Sequence, residues 1–359
     1  CHEITVNLAY RWFLGLDIEE KVPNFSTWSQ NYIRRYKDSS IFEEIFEEIL
    51  DQAVSYGFID CTTVFGDSTH QKANANKRKL VKKEVKVIQK KYEKELLEEI
   101  NEDRECIGKK PYETMKHIEY SYDEESGEEK QDIATKIISE STTDPESGCF
   151  HKGEKERCFA YSHQTFCDRH SFVLSVVSVP GNVHDSVSFF DAYEHLMNGK
   201  YGKQIKNISL DAGYMTPAIC REIIKNGQVP YMPYKRPMTK KGFFKKYEYA
   251  YDERYDCYIC PNEKILSYTT TTREGYRQYK SDAKEYENCP LRERCTKSKN
   301  KTKVINRHLW EAYREQAEEI RHTQEWKEIY PKQKETIEKR QSSEYLRTAR
   351  KTTDCDIQD

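Results

Sequence analysis

The stretch Phe58-Ile-Asp-Cys-Thr-Thr-Val-Phe-Gly-Asp67 is followed by the polar run Ser68-Thr-His70. Its β-branched and aromatic residues predict a strand over residues 58–67 that delivers Asp67 to its end. Residues 205–210 predict another strand, and Asp211 follows it directly. Ligands bind at the carboxyl ends of strands in open α/β sheets, so both aspartates are candidate site residues. By position alone, each is also a candidate turn or helix-capping residue.

Strand and helix signals around these two stretches predict an α/β fold with a mixed sheet flanked by helices. The further predicted strands are residues 158–166, 172–179 and 229–233, and the helices between them are residues 185–197 and 217–226. A long helical stretch is predicted from residue 307 to about 339, with an interruption near Pro331.

Three regions fall outside this core. Residues 1–56 predict a helical domain with helices at 6–13, 26–36 and 41–56, the second capped by Ser26. Residues 57–345 are predicted to form a second domain, in which two insertions are expected. The first, about 71–150, is highly charged and is predicted to be helical over about 79–102 and loop-like afterwards. The second, about 236–303, is rich in tyrosine, lysine and cysteine.

Composition limits the class of protein. A length of 359 residues favours about two folding units. No apolar stretch is long enough to cross a bilayer and no signal peptide is evident, so a cytoplasmic protein without a membrane partner is expected. The balance of 59 basic against 61 acidic residues excludes a uniformly basic nucleic-acid-binding surface, and the twelve cysteines are expected to be mostly reduced.

A local basic run between residues 72 and 91 differs from this balance. A run of this kind is either a solvated face or a DNA-contact surface, because phosphate neutralisation supplies most non-specific DNA affinity. The candidate DNA-contact residues are Lys72, Lys77, Arg78, Lys79, Lys82 and Lys83.

The late helical stretch carries Glu335 and Glu338, which are spaced to face one way. If one of them meets Asp67 and Asp211, three carboxylates would form a site for Mg²⁺. Two such ions can activate an attacking oxygen and stabilise a leaving oxygen in phosphoryl transfer.

Five segments occur in the order seen in DDE-type bacterial insertion-sequence transposases, and the chain resembles that family from residue 3 to about 339. The segments are residues 66–77, 143–148, 181–185, 210–214 and 330–338. Residues 6–36 resemble the N-terminal helical domain of the same group, which implies that residues 1–56 are part of a DNA-binding domain. The resemblance implies a ribonuclease-H-like core in which Asp67, Asp211 and Glu338 are the catalytic, metal-binding carboxylates, with Glu335 as the alternative third residue.

The same resemblance implies metal-dependent strand cleavage at the transposon ends and strand transfer to target DNA. The expected cofactor is Mg²⁺, as two ions, or Mn²⁺. The expected partner is double-stranded DNA, and an active copy is expected to be a homo-oligomer in the bacterial cytoplasm, associated with the nucleoid. A catalytically dead protein that still binds transposon ends, and a related nuclease acting on another nucleic acid, remain alternatives.

Four cysteines form a candidate zinc ribbon: Cys257, Cys260, Cys289 and Cys295. The alternative is that reduced cysteines pack the tyrosine-rich insertion. Tyr286 stands where similar chains tend to have a further cysteine.

Two short motifs have both a structural and a functional interpretation. His70 and Lys72 are candidates for phosphate contact or for a surface turn. Asp185, in the segment Gly181-Asn-Val-His-Asp185, is a candidate helix N-cap or a residue that supports the site.

The ends of the chain differ from the family pattern. The chain starts at Cys1 inside what reads as a helix, which predicts a missing N-terminal portion. After Glu338 the family's apolar helix and lysine are absent, so we expect residues 340–359 to be an aberrant tail produced by a frameshift. Because the helix presenting Glu338 then lacks its following turns, weak docking of that helix and weak or absent transposition are expected.

Overall fold

The computed structural model describes residues 1–87, 90–115, 118–122, 129–133, 135–152, 156–236 and 239–338. The chain divides into two compact units, Cys1–Ile59 and Asp60–Asp359. The predicted tail at residues 340–359 lies outside the described residues.

The first unit is helical, as predicted. Its α-helices are α1 (His2–Val6), α2 (Leu8–Phe13), α3 (Phe25–Asn31), which continues into a π-helical turn (Tyr32–Tyr36), and α4 (Ile41–Ser55). The residue that caps α3 is Asn24, whose Oδ1 accepts a hydrogen bond from the Ser26 amide at 3.0 Å. The prediction of Ser26 as the cap is therefore wrong, because the helix begins one residue earlier, at Phe25.

The second unit contains the sheets. Its described strands are β1 (Thr63–Lys72), β2 (Leu80–Lys86), β3 (Ile118–Tyr122), β4 (Glu129–Ile133), β5 (Thr135–Ser141), β6 (Gly148–Lys152), β7 (Glu156–Asp168), β8 (Val173–Pro180), β9 (Asn207–Ser209), β10 (Val229–Tyr231), β11 (Ala250–Asp252), β12 (Cys257–Ile259), β13 (Ile265–Thr271), β14 (Tyr276–Ser281) and β15 (Val304–His308). Its described α-helices are α5 (Glu93–Cys106), α6 (Asp185–Asn198), α7 (Pro217–Lys225), α8 (Ala283–Glu287), α9 (Arg292–Cys295), α10 (Glu311–Ile320) and α11 (Gln324–Ile329).

The main sheet has the strand order β10-β9-β1-β7-β6-β5-β2, and β8 also pairs with β7. β1 runs parallel to β9 and antiparallel to β7, and β9 runs parallel to β10. The sheet is therefore mixed, and helices α6 and α7 connect its strands in sequence. The predicted α/β class is confirmed, and the arrangement is compatible with a ribonuclease-H-like fold.

The first insertion differs from its prediction. Part of the segment expected to be helical, over about 79–102, is strand β2, and the helix α5 begins only at Glu93. β2 pairs with β5 over seven residues, from Leu80↔Ser141 to Lys86↔Thr135. Its lysines point to solvent and leave no apolar helical stripe, so pairing with β5 determines the local structure.

The second insertion forms an antiparallel sheet in the order β11-β12-β13-β14-β15. Its last strand, β15, replaces the predicted start of the long helix at residue 307, and the helices α10 and α11 follow. The predicted interruption near Pro331 is confirmed, because α11 ends at Ile329 and a π-helical segment, Lys334–Glu338, follows.

The core of the main sheet consists of residues from β1 and β9 that are completely buried, including Val64, Phe65 and Ile208. α7 begins with Pro217 in its first turn and is capped by Thr216, whose Oγ1 accepts a hydrogen bond from the Ile219 amide at 3.3 Å. None of the helices in the described residues combines the length and the apolar composition that a bilayer crossing requires.

Candidate active site

Asp67 is the fifth residue of β1, which continues to Lys72. The prediction that the strand ends at Asp67 is wrong, because β7 pairs with β1 beyond that point, from Asp67↔Thr165 to Lys72↔Ala160. His70 and Lys72 consequently lie in a strand and not in a surface turn. The Asp67 side chain is half-buried, and its Oδ1 accepts a hydrogen bond from the Ser68 amide at 2.8 Å.

The residue before Asp67 must be small. A Cβ atom at Gly66 would lie 2.7 Å from Leu210 Cδ2 and 2.7 Å from Phe166 Cε1, both in buried side chains. Glycine at position 66 therefore allows Leu210, the residue before Asp211, to pack closely against β1 next to Asp67.

Asp211 follows β9 and lies beside the continuation of β1. The parallel ladder between the two strands ends at Phe65↔Ser209, so Asp67 and Asp211 each lie two residues beyond the last pair. Asp211 Oδ1 accepts a hydrogen bond from the Gly213 amide at 2.7 Å and caps the 3₁₀ turn Ala212–Tyr214. The two aspartates that the sequence singles out are therefore placed on neighbouring strands at equivalent positions.

A third aspartate is tied to the same region. Tyr214 is buried and donates a 2.7 Å hydrogen bond to Gln164 Oε1, while Gln164 Nε2 donates a 3.0 Å hydrogen bond to Asp185 Oδ1. Burial raises the pKa of the Tyr214 hydroxyl well above its usual value, and the negative charges of Asp185, Asp67 and Asp211 raise it further. We call the three aspartates, Gln164 and Tyr214 the carboxylate edge.

Asp185 is the first residue of α6, and the helix is capped by its neighbour. His184 Nδ1 accepts a hydrogen bond from the Ser186 amide at 3.1 Å. The interpretation of Asp185 as the N-cap is therefore wrong by one residue, and its carboxylate accepts from Gln164 instead.

The segment that carries the glutamates docks on the face of β1. Gln333 is buried and its Nε2 donates a 3.0 Å hydrogen bond to the carbonyl oxygen of Gly66, next to Asp67. Ile329 packs against Phe65 and Cys167. The helix was expected to dock weakly without the family's apolar continuation. Within the described residues it docks through the side chains that precede Glu338.

Glu338 is the last residue of the π-helical segment, and its side chain lies outside the described part of the chain. Glu335 is exposed, while Thr336 is buried and its carbonyl oxygen accepts a 3.2 Å hydrogen bond from Ser171 Oγ. The structure thus positions the backbone of the helix near Asp67.

Carboxylate oxygens of the kind at Asp67 and Asp211 suit Mg²⁺ and Mn²⁺. Among the described side chains, no three acidic, histidine or cysteine residues gather closely enough to hold a metal ion. The segment that carries Glu335 and Glu338 docks beside Gly66, on the same strand as Asp67.

Two further segments singled out by the sequence meet beside the sheet. A Cβ atom at Gly148 would lie 2.3 Å from Asn182 Oδ1, so the 143–148 and 181–185 segments are in close contact. Asp144 Oδ1 accepts a 2.7 Å hydrogen bond from the Tyr161 hydroxyl. Burial, together with this hydrogen bond, raises the pKa of Tyr161 to about 12.

The six candidate DNA-contact residues are exposed. Lys72 ends β1, Lys82 and Lys83 lie on β2, and the other three occupy the connection between these strands. This connection is held by the Asn76 amide, which donates to Thr143 Oγ1 at 3.3 Å. Lys83 forms a 2.7 Å ion pair with Glu140 of β5.

Among the described side chains, no three of the four candidate zinc ligands lie close enough together to hold a metal ion, and the zinc ribbon stays a prediction. Cys260 and Cys295 are buried in what we call the tyrosine–cysteine core, a cluster completed by Phe244, Tyr249, Tyr258, Leu266, Tyr279, Tyr286 and Ile305. Burial raises the pKa of the Cys295 thiol.

The other two cysteines lie elsewhere. Cys257 is in β12, where burial raises the pKa of its thiol and the negative charges of Asp252 and Asp256 act in the same direction. Cys289 is half-buried, and its sulfur accepts a 3.6 Å hydrogen bond from Asn262. The described cysteines are all free thiols, as expected.

Sequence reasoning missed Gln164 and Gln333. Gln164 lies on a predicted core strand that no motif marks, and Gln333 lies within the motif segment 330–338, where nothing in the sequence distinguishes it. Tyr214 belongs to a recognised segment, but its role as a buried donor depends on the position of Gln164.

Two protein-family models, both of transposase domains, match parts of the chain. A model described as "Transposase DDE domain" matches residues 259–352, and one described as "Transposase domain (DUF772)" matches residues 1–34. Together the two matches support a DDE-type insertion-sequence transposase. No curated protein and no solved structure matches the chain. The DDE-domain match includes Glu338 and continues through most of the segment expected to be aberrant.

Proposed function

We propose that the protein is a DNA transposase that cleaves strands at insertion-sequence ends and transfers them to target DNA. The observation that carries this proposal is the placement of Asp67 and Asp211, each two residues beyond the last pair of adjacent parallel strands. The two transposase family matches agree with it, and they lie on other parts of the chain.

In this proposal, Asp67, Asp211 and Glu338 hold two Mg²⁺ or Mn²⁺ ions. When bound, the ions supply activation of an attacking oxygen and stabilisation of a leaving oxygen. The chain's own contribution is orientation. The Ser68 and Gly213 amides fix the carboxylates of Asp67 and Asp211, and Gln333 fixes the helix of Glu338 against Gly66.

The exposed antiparallel pair β2–β5 supports DNA as the substrate. A two-stranded β ribbon fits the major groove of B-DNA, and lysines on it neutralise phosphates. Lys82 and Lys83 lie on this pair, and Lys77, Arg78 and Lys79 precede it.

Strand nicking tests the catalytic part of the proposal. The probe is a labelled duplex that carries the DNA flanking the coding sequence, incubated with Mg²⁺ or Mn²⁺. We expect the Asp67→Ala and Asp211→Ala variants to lose nicking. The matched control is Asp191→Ala, which removes an exposed aspartate of α6 that pairs with Lys91. Two inactive site variants beside an active control would support the assignment.

Other outcomes separate the alternatives. If both site variants cut as well as the parent, the wrong centre has been named. If the parent binds the flanking DNA without cutting it under either metal, the chain is a DNA-binding protein that has lost catalysis. Nicking of RNA–DNA hybrids in preference to the flanking duplex would indicate a nuclease with another substrate.

Salt dependence tests the DNA surface. The Lys82→Ala/Lys83→Ala variant should reduce the slope of log affinity against log salt by about 2, because each phosphate that is no longer neutralised lowers the slope by about 0.9. Lys203→Ala removes an exposed lysine from another part of the unit and serves as the control. Equal slopes for both variants would remove this surface from the proposal.

A further inference from the structure

A buried chain of hydrogen bonds connects three elements of the carboxylate edge. Tyr214 lies in the turn that Asp211 caps, Gln164 lies on β7, and Asp185 begins α6. The two bonds, Tyr214 to Gln164 and Gln164 to Asp185, measure 2.7 and 3.0 Å. Tyr214 and Gln164 are only 2% and 3% exposed, so losing either partner would leave a polar group buried without its hydrogen bond.

The position of Gln164 in the β1–β7 ladder explains how this chain of hydrogen bonds can act on the two aspartates. Gln164 is paired with Ser68, the residue after Asp67. The hydroxyl of Tyr214 therefore ties the turn of Asp211 to the strand that neighbours Asp67. The short β9 ladder ends before either aspartate, so it does not fix their separation by itself.

A second buried tyrosine shows what a purely structural role looks like. Tyr193 of α6 is 3% exposed, and its hydroxyl donates to the Oε1 of a buried glutamine, Gln228. Both tyrosines pack on Phe189, with ring centroids 5.4 Å away for Tyr193 and 5.9 Å for Tyr214. The hydroxyl of Tyr214 lies in the field of three aspartates, whereas the charged neighbour of Tyr193 is Glu222.

We propose that Tyr214 and Gln164 are positioning residues that hold Asp211 in register with Asp67 for a shared divalent cation, and that Asp185 anchors Gln164. This inference rests on the proposed function, because it assumes that the two aspartates bind a metal. The inference adds to that function the residues that set the relative position of Asp67 and Asp211. Loss of a residue that orients a metal ligand typically lowers metal affinity by about 10–100-fold.

Direct measurement of Mn²⁺ binding tests the inference without requiring catalysis. Free Mn²⁺ is followed by electron paramagnetic resonance as purified full-length protein is titrated. We expect Tyr214→Phe to weaken binding about tenfold or more and Tyr193→Phe to leave it unchanged. The two variants each remove one buried hydroxyl from the same aromatic cluster, so their melting temperatures should fall by similar amounts.

A second variant separates positioning from folding. Gln164→Met keeps the volume of the side chain and removes its hydrogen bonds to Tyr214, Asp185 and Ser162. We expect its loss of Mn²⁺ affinity to match that of Tyr214→Phe, and the double variant to be no weaker than either single variant, because the residues act as one unit. Losses that multiply would show two independent effects and would overturn the proposal.

The outcomes distinguish this inference from the proposed function. If Asp211→Asn binds Mn²⁺ as tightly as the parent, or if the parent does not bind it, the metal site itself is wrong and both proposals fail. If Asp211→Asn loses binding while Tyr214→Phe and Gln164→Met retain it, only the positioning role is wrong.

Discussion

The carboxylate edge and the tyrosine–cysteine core use polar side chains in opposite ways. At the edge, Asp67 and Asp211 stay partly accessible while backbone amides and buried partners fix their orientation. In the core, the Tyr279 hydroxyl donates a 2.6 Å hydrogen bond to Asp256, and Cys260 and Cys295 pack against aromatic rings. The sequence marks both regions as candidate metal sites, and they differ in how accessible their polar atoms are.

Accessibility and charge explain the difference. A metal ligand must expose a lone pair in its deprotonated form. The carboxylates of Asp67 and Asp211 are partly accessible, whereas Cys260 and Cys295 are buried, and burial raises the pKa of the Cys295 thiol. Changes in the core should therefore alter stability with metal binding unchanged, and changes at the edge should weaken metal binding as well as stability.

The largest expected effect comes from Tyr279→Ala. Tyr279 is completely buried, so its truncation should lower the free energy of unfolding by about 3–5 kcal/mol. Urea unfolding measures the loss, with Tyr255→Ala, at a tyrosine of the same insertion that is 72% exposed, as the control. The folded variant should bind Mn²⁺ as the parent does, and a weakened metal affinity would contradict the separation of the two regions.

The next largest effect is a pH dependence of stability that originates at His308, the last residue of β15. Burial lowers the pKa of His308 to about 4, and its Nδ1 accepts a 3.1 Å hydrogen bond from the Trp310 amide. The folded state disfavours the protonated ring. The contribution of neutral His308 to the free energy of unfolding is therefore complete above about pH 6.5 and is lost as the pH falls from about 6.5 to 4. The loss amounts to about 3 kcal/mol.

Thermal melts between pH 7.5 and 4.5 test this expectation. His308→Asn keeps an acceptor for the Trp310 amide and removes the titration, so its melting temperature should fall less over that range. Parallel curves for the parent and the variant would show that His308 does not control the acid sensitivity.

A smaller effect is expected at Gly66. The Cβ atom of Gly66→Ala would come within 2.7 Å of buried atoms of Leu210 and Phe166, so we expect a loss of about 1–3 kcal/mol. The shift of β1 should also weaken Mn²⁺ binding. In Gly199→Ala the nearest atom lies 3.2 Å away, which makes it the milder control. Equal stability and equal metal affinity in both variants would contradict the close packing beside Asp67.

The smallest expected effect on stability is that of removing zinc. Chelation with EDTA should leave the melting temperature unchanged, and elemental analysis should find no stoichiometric zinc. The Cys260→Ser variant should likewise contain the same amount of zinc as the parent. A melting temperature that falls on chelation and recovers with added zinc would contradict this expectation and support the zinc ribbon.

The strands with apolar runs could be predicted from the sequence because burial alone specifies them. β7, β8 and β10 lie close to their predicted bounds, and α6 begins at the predicted residue. β2 could not be predicted, because its lysine-rich sequence carries no apolar pattern and only its pairing with β5 makes it a strand.

The candidate site shows the same limit. Motif residues such as Asp67 and Asp211 are identifiable from local sequence and resemblance. Gln164 and Gln333 are not, because each is defined by a partner distant in the chain, Tyr214 and the Gly66 carbonyl respectively. Long-range hydrogen bonds leave no periodic signal in a single sequence.

The most direct measurement is the anomalous difference density of crystals soaked in Mn²⁺. The account predicts a peak at coordination distance, about 2.1 Å, from carboxylate oxygens of both Asp67 and Asp211. A Mn²⁺ peak elsewhere, with no density between these two aspartates, would contradict it.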